Sequence, residues 1–213
     1  MSGADWAASM RAASEWRLIG LLFERPRPGW LEELRELRDE VPDGLLRDAA
    51  DAATVADEGT YLAVFGPGGC ASPREVAYRG REDPGPVLAD IGGFHRAFGF
   101  QPAVEDTIDH VAVEASFAGF LAFKEAFARS QNDGEAAEVC AEALARFCDA
   151  HIRCFAEALA LKLDAVGDAA PHLAQAAIAL VERAGRAPEG YLDAMASDDD
   201  GDEMTCGVCT AVE

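Results

Sequence analysis

Apolar side chains recur at helical spacing along most of the chain. Over residues 4–24, Trp6, Met10, Ile19, Leu22 and Phe23 repeat with Arg11, Glu15 and Arg17 between them. That spacing predicts an amphipathic helix, and Pro26 and Pro28 end it. A shorter helix is expected at 29–39, and another over 43–65, broken around Gly59, with Pro42 and Asp43 at its start. The helical pattern resumes at 87–98, 105–129, 134–165 and 169–186. Between the third and fourth of these helices, residues 66–86 hold Gly66, Pro67, Gly68, Gly69, Pro73, Gly80, Pro84, Gly85 and Pro86. A compact domain rarely keeps so long a loop without a use for it. Strand signals are scarce, and residues 60–65 (TYLAVF) form the one run that would pass for a strand. The pattern predicts an all-α fold, a single-domain helical bundle over 1–192 with a long Gly/Pro-rich central loop. Residues 193–213 then form an acidic, mobile tail.

Composition supports this picture. The 213 residues are 50% hydrophobic but only 8% aromatic, and alanine, the strongest helix former, supplies much of the apolar share. Acidic residues outnumber basic ones 39 to 18, giving a net charge of −21. So negative a surface repels phosphate, which argues against nucleic acids and anionic membranes as partners. Lys124 and Lys162 are the only lysines. An acidic, lysine-poor, alanine-rich chain fits a high-salt cytoplasm, and a GC-rich genome would also exchange lysine for arginine. No segment reaches the roughly 20 apolar residues that span a bilayer. The first residues, MSGADWAASMRAASEW, lack a signal-sequence pattern, so a cytoplasmic location is expected and the six cysteines should be mostly reduced.

Candidate chemistry is sparse. Gly66-Pro67-Gly68-Gly69-Cys70-Ala71 matches G-x-G-x-x-G/A in form, but no βαβ pattern surrounds it, so it reads as a turn. None of the four histidines stands in Glu-x-x-His or His-Glu-x-x-His. Cys148, His151 and Cys154 share a helix at spacings of three and read as core. Cys206-Gly-Val-Cys209 is the weak candidate for metal or redox chemistry, because a structural zinc needs four ligands and a second C-x-x-C is missing. Asp109 is placed to cap the 105–129 helix, and His110 and Glu114, four apart, should stack on one of its faces. Phe117, Phe120, Phe123 and Phe127 follow on that helix, either as core or as the lining of a groove for an apolar peptide. No catalytic residue and no cofactor is expected.

Five segments in order, across about residues 15–165, resemble the TorD/DmsD/NarJ family of redox-enzyme maturation chaperones. They are Arg17-Leu-Ile-Gly-Leu-Leu-Phe23, Tyr61-Leu-Ala-Val-Phe65-Gly66-Pro67, Ser72-Pro73-Arg74-Glu75-Val76-Ala77-Tyr78, Phe94-His95-Arg96-Ala97-Phe98-Gly99-Phe100 and Asp109-His110-Val111-Ala112-Val113-Glu114-Ala115-Ser116-Phe117. The resemblance implies a non-catalytic helical chaperone, a monomer or homodimer. Its partner would be the twin-arginine leader or N-terminal segment of a molybdenum-cofactor reductase subunit, held until folding and cofactor insertion are complete. The family residues carried over as peptide-binding are Tyr61, Phe65, Gly66, Pro67, Pro73, Glu75, Tyr78, Asp109, His110, Glu114 and Phe117. Ile108 stands where the family often has proline, and the Cys-x-x-Cys tail lies outside the shared pattern. On this reading Glu75, Asp109 and Glu114 would meet the leader's arginines beside an aromatic groove. A non-catalytic accessory subunit of an oxidoreductase, or a metal- or redox-responsive protein acting through Cys206 and Cys209, are the alternatives.

Overall fold

The computed structural model describes residues 4–104 and 106–187. Nine α-helices follow one another among these residues: α1 (Ala4–Leu22), α2 (Trp30–Glu40), α3 (Gly44–Ala52), α4 (Glu58–Phe65), α5 (Pro84–Phe98), α6 (Val111–Ser130), α7 (Gly134–Phe147), α8 (Arg153–Asp164) and α9 (Pro171–Ala184). No strand occurs among the described residues, so the all-α expectation holds.

Side-chain caps fix most of the helix starts. Asp43, Asp57 and Asp133 accept hydrogen bonds from the backbone N–H groups of Leu46, Thr60 and Ala136, and thereby start α3, α4 and α7. Asp83 accepts from Gly85 and is followed by Pro84, whose missing N–H costs nothing in the first turn of α5. These caps correct two boundaries. The break in 43–65 falls at Asp57 rather than at Gly59, because the aspartate side chain captures the first free N–H of α4. The strand-like run 60–65 is therefore helical. The 105–129 helix begins only at Val111, because His110, not Asp109, caps it: its Nδ1 accepts from Ala112 N–H at 3.1 Å.

Helix α6 is the axis of the fold. Its buried face runs from Val111 through Phe117 and Leu121 to Ala128. Helix α1 lies antiparallel along it, with Gly20 against Ser116, Ala13 and Arg17 against Gly119, and Ser9 bonded to Glu125. A Cβ at position 119 would stand 3.1 Å from the Arg17 nitrogen and 3.2 Å from the Ala13 carbonyl oxygen, both backbone atoms that cannot swing aside. Gly119→Ala is therefore expected to push the two helices apart at a cost of about 1–3 kcal/mol. Thermal unfolding would register this as a drop of about 2–4 °C per kcal/mol. Helix α7 packs on α6, and α9 closes the core against α8, α3 and α1.

The long central segment is pinned. Arg74 forms an antiparallel bridge with His110, in which Glu75 N–H donates to Asp109 O at 2.9 Å and Val111 N–H donates to Pro73 O at 2.8 Å. A short 3-10 turn follows at Glu75–Tyr78, and the buried Tyr78 hydroxyl donates to Ser72 O at 2.8 Å. The expected 134–165 helix is one rod interrupted by a π turn at Cys148–Ile152. There the Ala150 carbonyl accepts from Arg79 and His151 turns inward toward the same segment. The tail, with Cys206 and Cys209, lies outside the described residues.

Candidate functional site

Three features surround the start of α6: a buried polar network, a cleft lined in part by Asp106, Thr107 and His110, and an apolar groove lined in part by residues 100–104.

The network is assembled from Glu75, Arg79, Glu114, His151 and Asp90. Glu75 and Glu114 are both fully buried. Burial alone would keep Glu75 protonated, but His151 and Arg79 outweigh it and hold Glu75 below the usual carboxylate range. Arg79 donates to Glu75 through Nε at 2.8 Å and through Nη2. His151 lies with Nδ1 3.1 Å from Glu75 Oε2 and Nε2 3.1 Å from Asp90 Oδ2, so its ring bridges the two carboxylates. Glu114 has no such support. Complete burial, then the neighbouring Glu75 charge, raise it well above the carboxylate range, so it stands as a neutral acid beside ionised Glu75. Phe94 and Phe147 pack their rings against His151, and Phe117 packs against Phe94 and Phe147. Cys148 and Cys154 are buried in the same region. Burial pushes the Cys148 thiol up to about 12 and raises Cys154 as well, so neither is a thiolate at neutral pH.

The cleft, about 660 Å³, is lined by Tyr61, Phe65, Gly66, Pro67, Pro73 and His110, with Cys70, Arg74, Asp106 and Lys162 on its walls. Gly66 shapes its rim, since a Cβ there would lie 2.4 Å from the Leu62 carbonyl oxygen. His110 Nδ1 accepts from the backbone, so in the neutral ring Nε2 carries the proton and donates to the Tyr61 hydroxyl oxygen at 3.0 Å. Burial depresses the His110 pKa and keeps that neutral form. Behind the cleft Asp109, fully buried, accepts from Arg74 Nε through both oxygens at 3.1 Å.

The structure thus gathers six of the eleven carried-over residues in one opening. It sets Glu75, Tyr78, Asp109, Glu114 and Phe117 in the interior. The expectation that Glu75, Asp109 and Glu114 meet a peptide's arginines is corrected: the first is paired with Arg79 and His151, the second with Arg74, and the third is neutral. His110 and Glu114 do not form the expected pair either, because the cap turns the His110 ring toward Ala112 and Tyr61.

The groove, about 360 Å³, opens between α1, α6 and residues 100–104. Met10, Ala13, Phe100, Val113, Phe120 and Phe123 give it an apolar wall, and Arg17 and Glu24 stand at its far end. Phe123 is 47% exposed and Phe127, one turn further on the same face, 59%. Such aromatic exposure marks a contact surface. Phe120 and Phe123 thus line a groove while Phe117 belongs to the core. Sequence spacing could not separate these two fates, because the side of α6 that α1 covers is set by packing. Glu24, which lines the groove beside Arg17, carries no sequence signal beyond an ordinary glutamate after a helix end.

A helical bundle with a pinned central segment is the TorD-like type of fold. The family model described as the nitrate reductase delta subunit matches residues 25–160, and the chain belongs to this family. It is a non-catalytic family of chaperones for molybdoenzyme maturation, whose members associate with molybdoenzyme catalytic subunits. Comparison with curated proteins gives no match. Among the described residues no helix is long and apolar enough to cross a membrane.

Proposed function

We propose that this chain holds the leader, or N-terminal segment, of a molybdenum-cofactor reductase catalytic subunit in the cytoplasm until folding and cofactor insertion are complete. The observation that carries the reading is the open groove along α1 and α6. Its exposed aromatic wall suits the apolar stretch of a leader, which supplies most of the burial on binding. Tyr61, Phe65, Gly66, Pro67, Pro73 and His110 offer a second contact at the cleft. Asp109, Glu75, Tyr78, Glu114 and Phe117 support that contact from behind.

Calorimetric titration with leader peptides from the same cell's molybdoenzymes, in molar KCl and in dilute buffer, tests this. One leader should bind with a Kd of about 1 μM or tighter. Binding should persist at high salt, where the Debye length is about 3 Å and apolar burial is unaffected by screening. Phe123→Glu removes a half-exposed aromatic surface without touching the core and should weaken binding about 10- to 100-fold. A folded protein that binds no leader, or a Phe123→Glu variant that binds as well as the parent, would reject this assignment of the groove.

A further inference from the structure

The cysteines of the described residues fall into two groups. Cys140, Cys148 and Cys154 are buried, whereas Cys70 is exposed on the wall of the cleft. The turn that presents Cys70 is closed on both sides. Gly69 N–H donates to Gly66 O at 2.8 Å and Ala71 N–H to Val64 O at 3.2 Å. A Cβ at position 69 would stand 2.2 Å from the Val64 carbonyl oxygen, so the turn has no room to rearrange around a larger residue. Asp106 is the one carboxylate among the residues that line this cleft, and Lys162, on α8, stands on the same wall. The end of α9 leads toward α8 as well. Arg186 pairs with Glu157 at 3.7 Å, and Lys162 follows Glu157 by five residues, about 8 Å at the helical rise. Cys206-Gly-Val-Cys209 begins 19 residues beyond Ala187. A coil of that length spans about 25 Å and an extended chain more than twice as far, so the two thiols can reach the cleft.

We propose that Cys70, Cys206 and Cys209 bind one zinc ion at the mouth of the cleft, with Asp106 in the fourth position. A Cys-x-x-Cys pair supplies two ligands, and a structural zinc needs four. The fold provides the other two from the cleft, a thiol held at the opening and a carboxylate beside it. Soft thiolates select zinc over magnesium or calcium, and each thiol releases its proton as the ion binds. His110 is not a ligand, although it lines the same cleft. Its Nδ1 accepts from Ala112 N–H and its Nε2 proton faces the Tyr61 hydroxyl, so the neutral ring has no lone pair to give. Three thiolates and a carboxylate around a divalent ion leave a net negative charge, which the Lys162 ammonium partly offsets. Closing the site costs little, because a connection of this length holds the thiol pair at an effective concentration on the order of millimolar. The ion clamps the C-terminal segment onto the opening where Tyr61, Phe65 and His110 stand.

Titration of the full chain with cobalt(II) and then zinc, under a phosphine reductant, tests this. Cobalt occupies tetrahedral zinc sites and reports thiolate ligands by charge-transfer absorption in the near ultraviolet. One equivalent per chain should bind with a Kd of about 1 μM or tighter, and zinc should displace it. Cys70→Ser changes an exposed side chain, so circular dichroism should show the fold intact. It should lose about a third of the thiolate absorption and weaken binding about 100-fold or more, and Cys209→Ser should do the same. Asp106→Asn should weaken binding about tenfold and leave the thiolate absorption unchanged. A chain that gives no cobalt absorption overturns the proposal, and so does a Cys70→Ser variant that binds as the parent does. Half an equivalent per chain, bound in a metal-dependent dimer, would place the ion between two Cys-x-x-Cys pairs and overturn it too. None of these outcomes depends on leader binding, so the chaperone reading stands or falls separately.

Discussion

Glu75→Ala is expected to cost about 3–5 kcal/mol of folding stability, the range for breaking a buried ion pair by removing one partner. At this chain length that corresponds to a fall in melting temperature of about 6–20 °C. The loss is large because Glu75 is the shared anion of Arg79 and His151, and its removal leaves both groups facing the interior. Glu75→Gln, which keeps one acceptor oxygen, should recover part of it. The same carboxylate makes the fold acid-sensitive. Its folded-state pKa is depressed, so its contribution is present above the unfolded value of about 4.3 and is lost as pH falls through the folded one. Urea unfolding of the parent and both variants between about pH 2 and pH 8 checks both points. A loss below about 1 kcal/mol would mean that water reaches the network and the interior is not sealed.

Glu114→Gln should act in the opposite direction. Glu114 is held as a neutral acid, so its folded-state pKa is raised, and its stabilising share is fully present only below the unfolded value of about 4.3. As pH rises above that value the unfolded chain releases the proton and the native chain keeps it. Stability therefore falls by up to about 1.4 kcal/mol per pH unit until the folded-state pKa is passed. Glutamine keeps the shape and removes the titration. The variant should match the parent near pH 4 and become steadily more stable than it as pH rises toward 8, read as a melting-temperature difference that widens with pH. Equal stability of the two proteins across this range would show that Glu114 ionises freely and that the neutral-acid assignment is wrong.

The two carboxylates also explain why a residue-by-residue reading of the site stops short. Glu75, Asp109 and Glu114 look alike in the sequence, and each is a natural partner for an arginine. Their environments separate them: Glu75 is bonded to Arg79 and His151, Asp109 to Arg74, and Glu114 is fully buried beside the Glu75 carboxylate. His110 shows the same limit. Its spacing to Glu114 is real, but the backbone N–H of Ala112 captures one ring nitrogen and Tyr61 meets the other.

The sequence by itself determined the helical class, the approximate helix positions and the family, because each rests on information carried locally. Apolar periodicity reports which face of a segment will be buried, prolines and capping aspartates mark its ends, and short ordered motifs identify relatives. Tertiary structure alone decided which motif residues face solvent. The bridge between Arg74 and His110, the π turn at Cys148–Ile152 and the close approach of α1 to α6 at Gly119 are contacts between distant segments. They bury Glu75, Glu114 and Phe117, leave Tyr61 and His110 at a cleft, and open the groove beside Phe123. Burial and charge pairing are properties of the packed chain, and local spacing does not encode them.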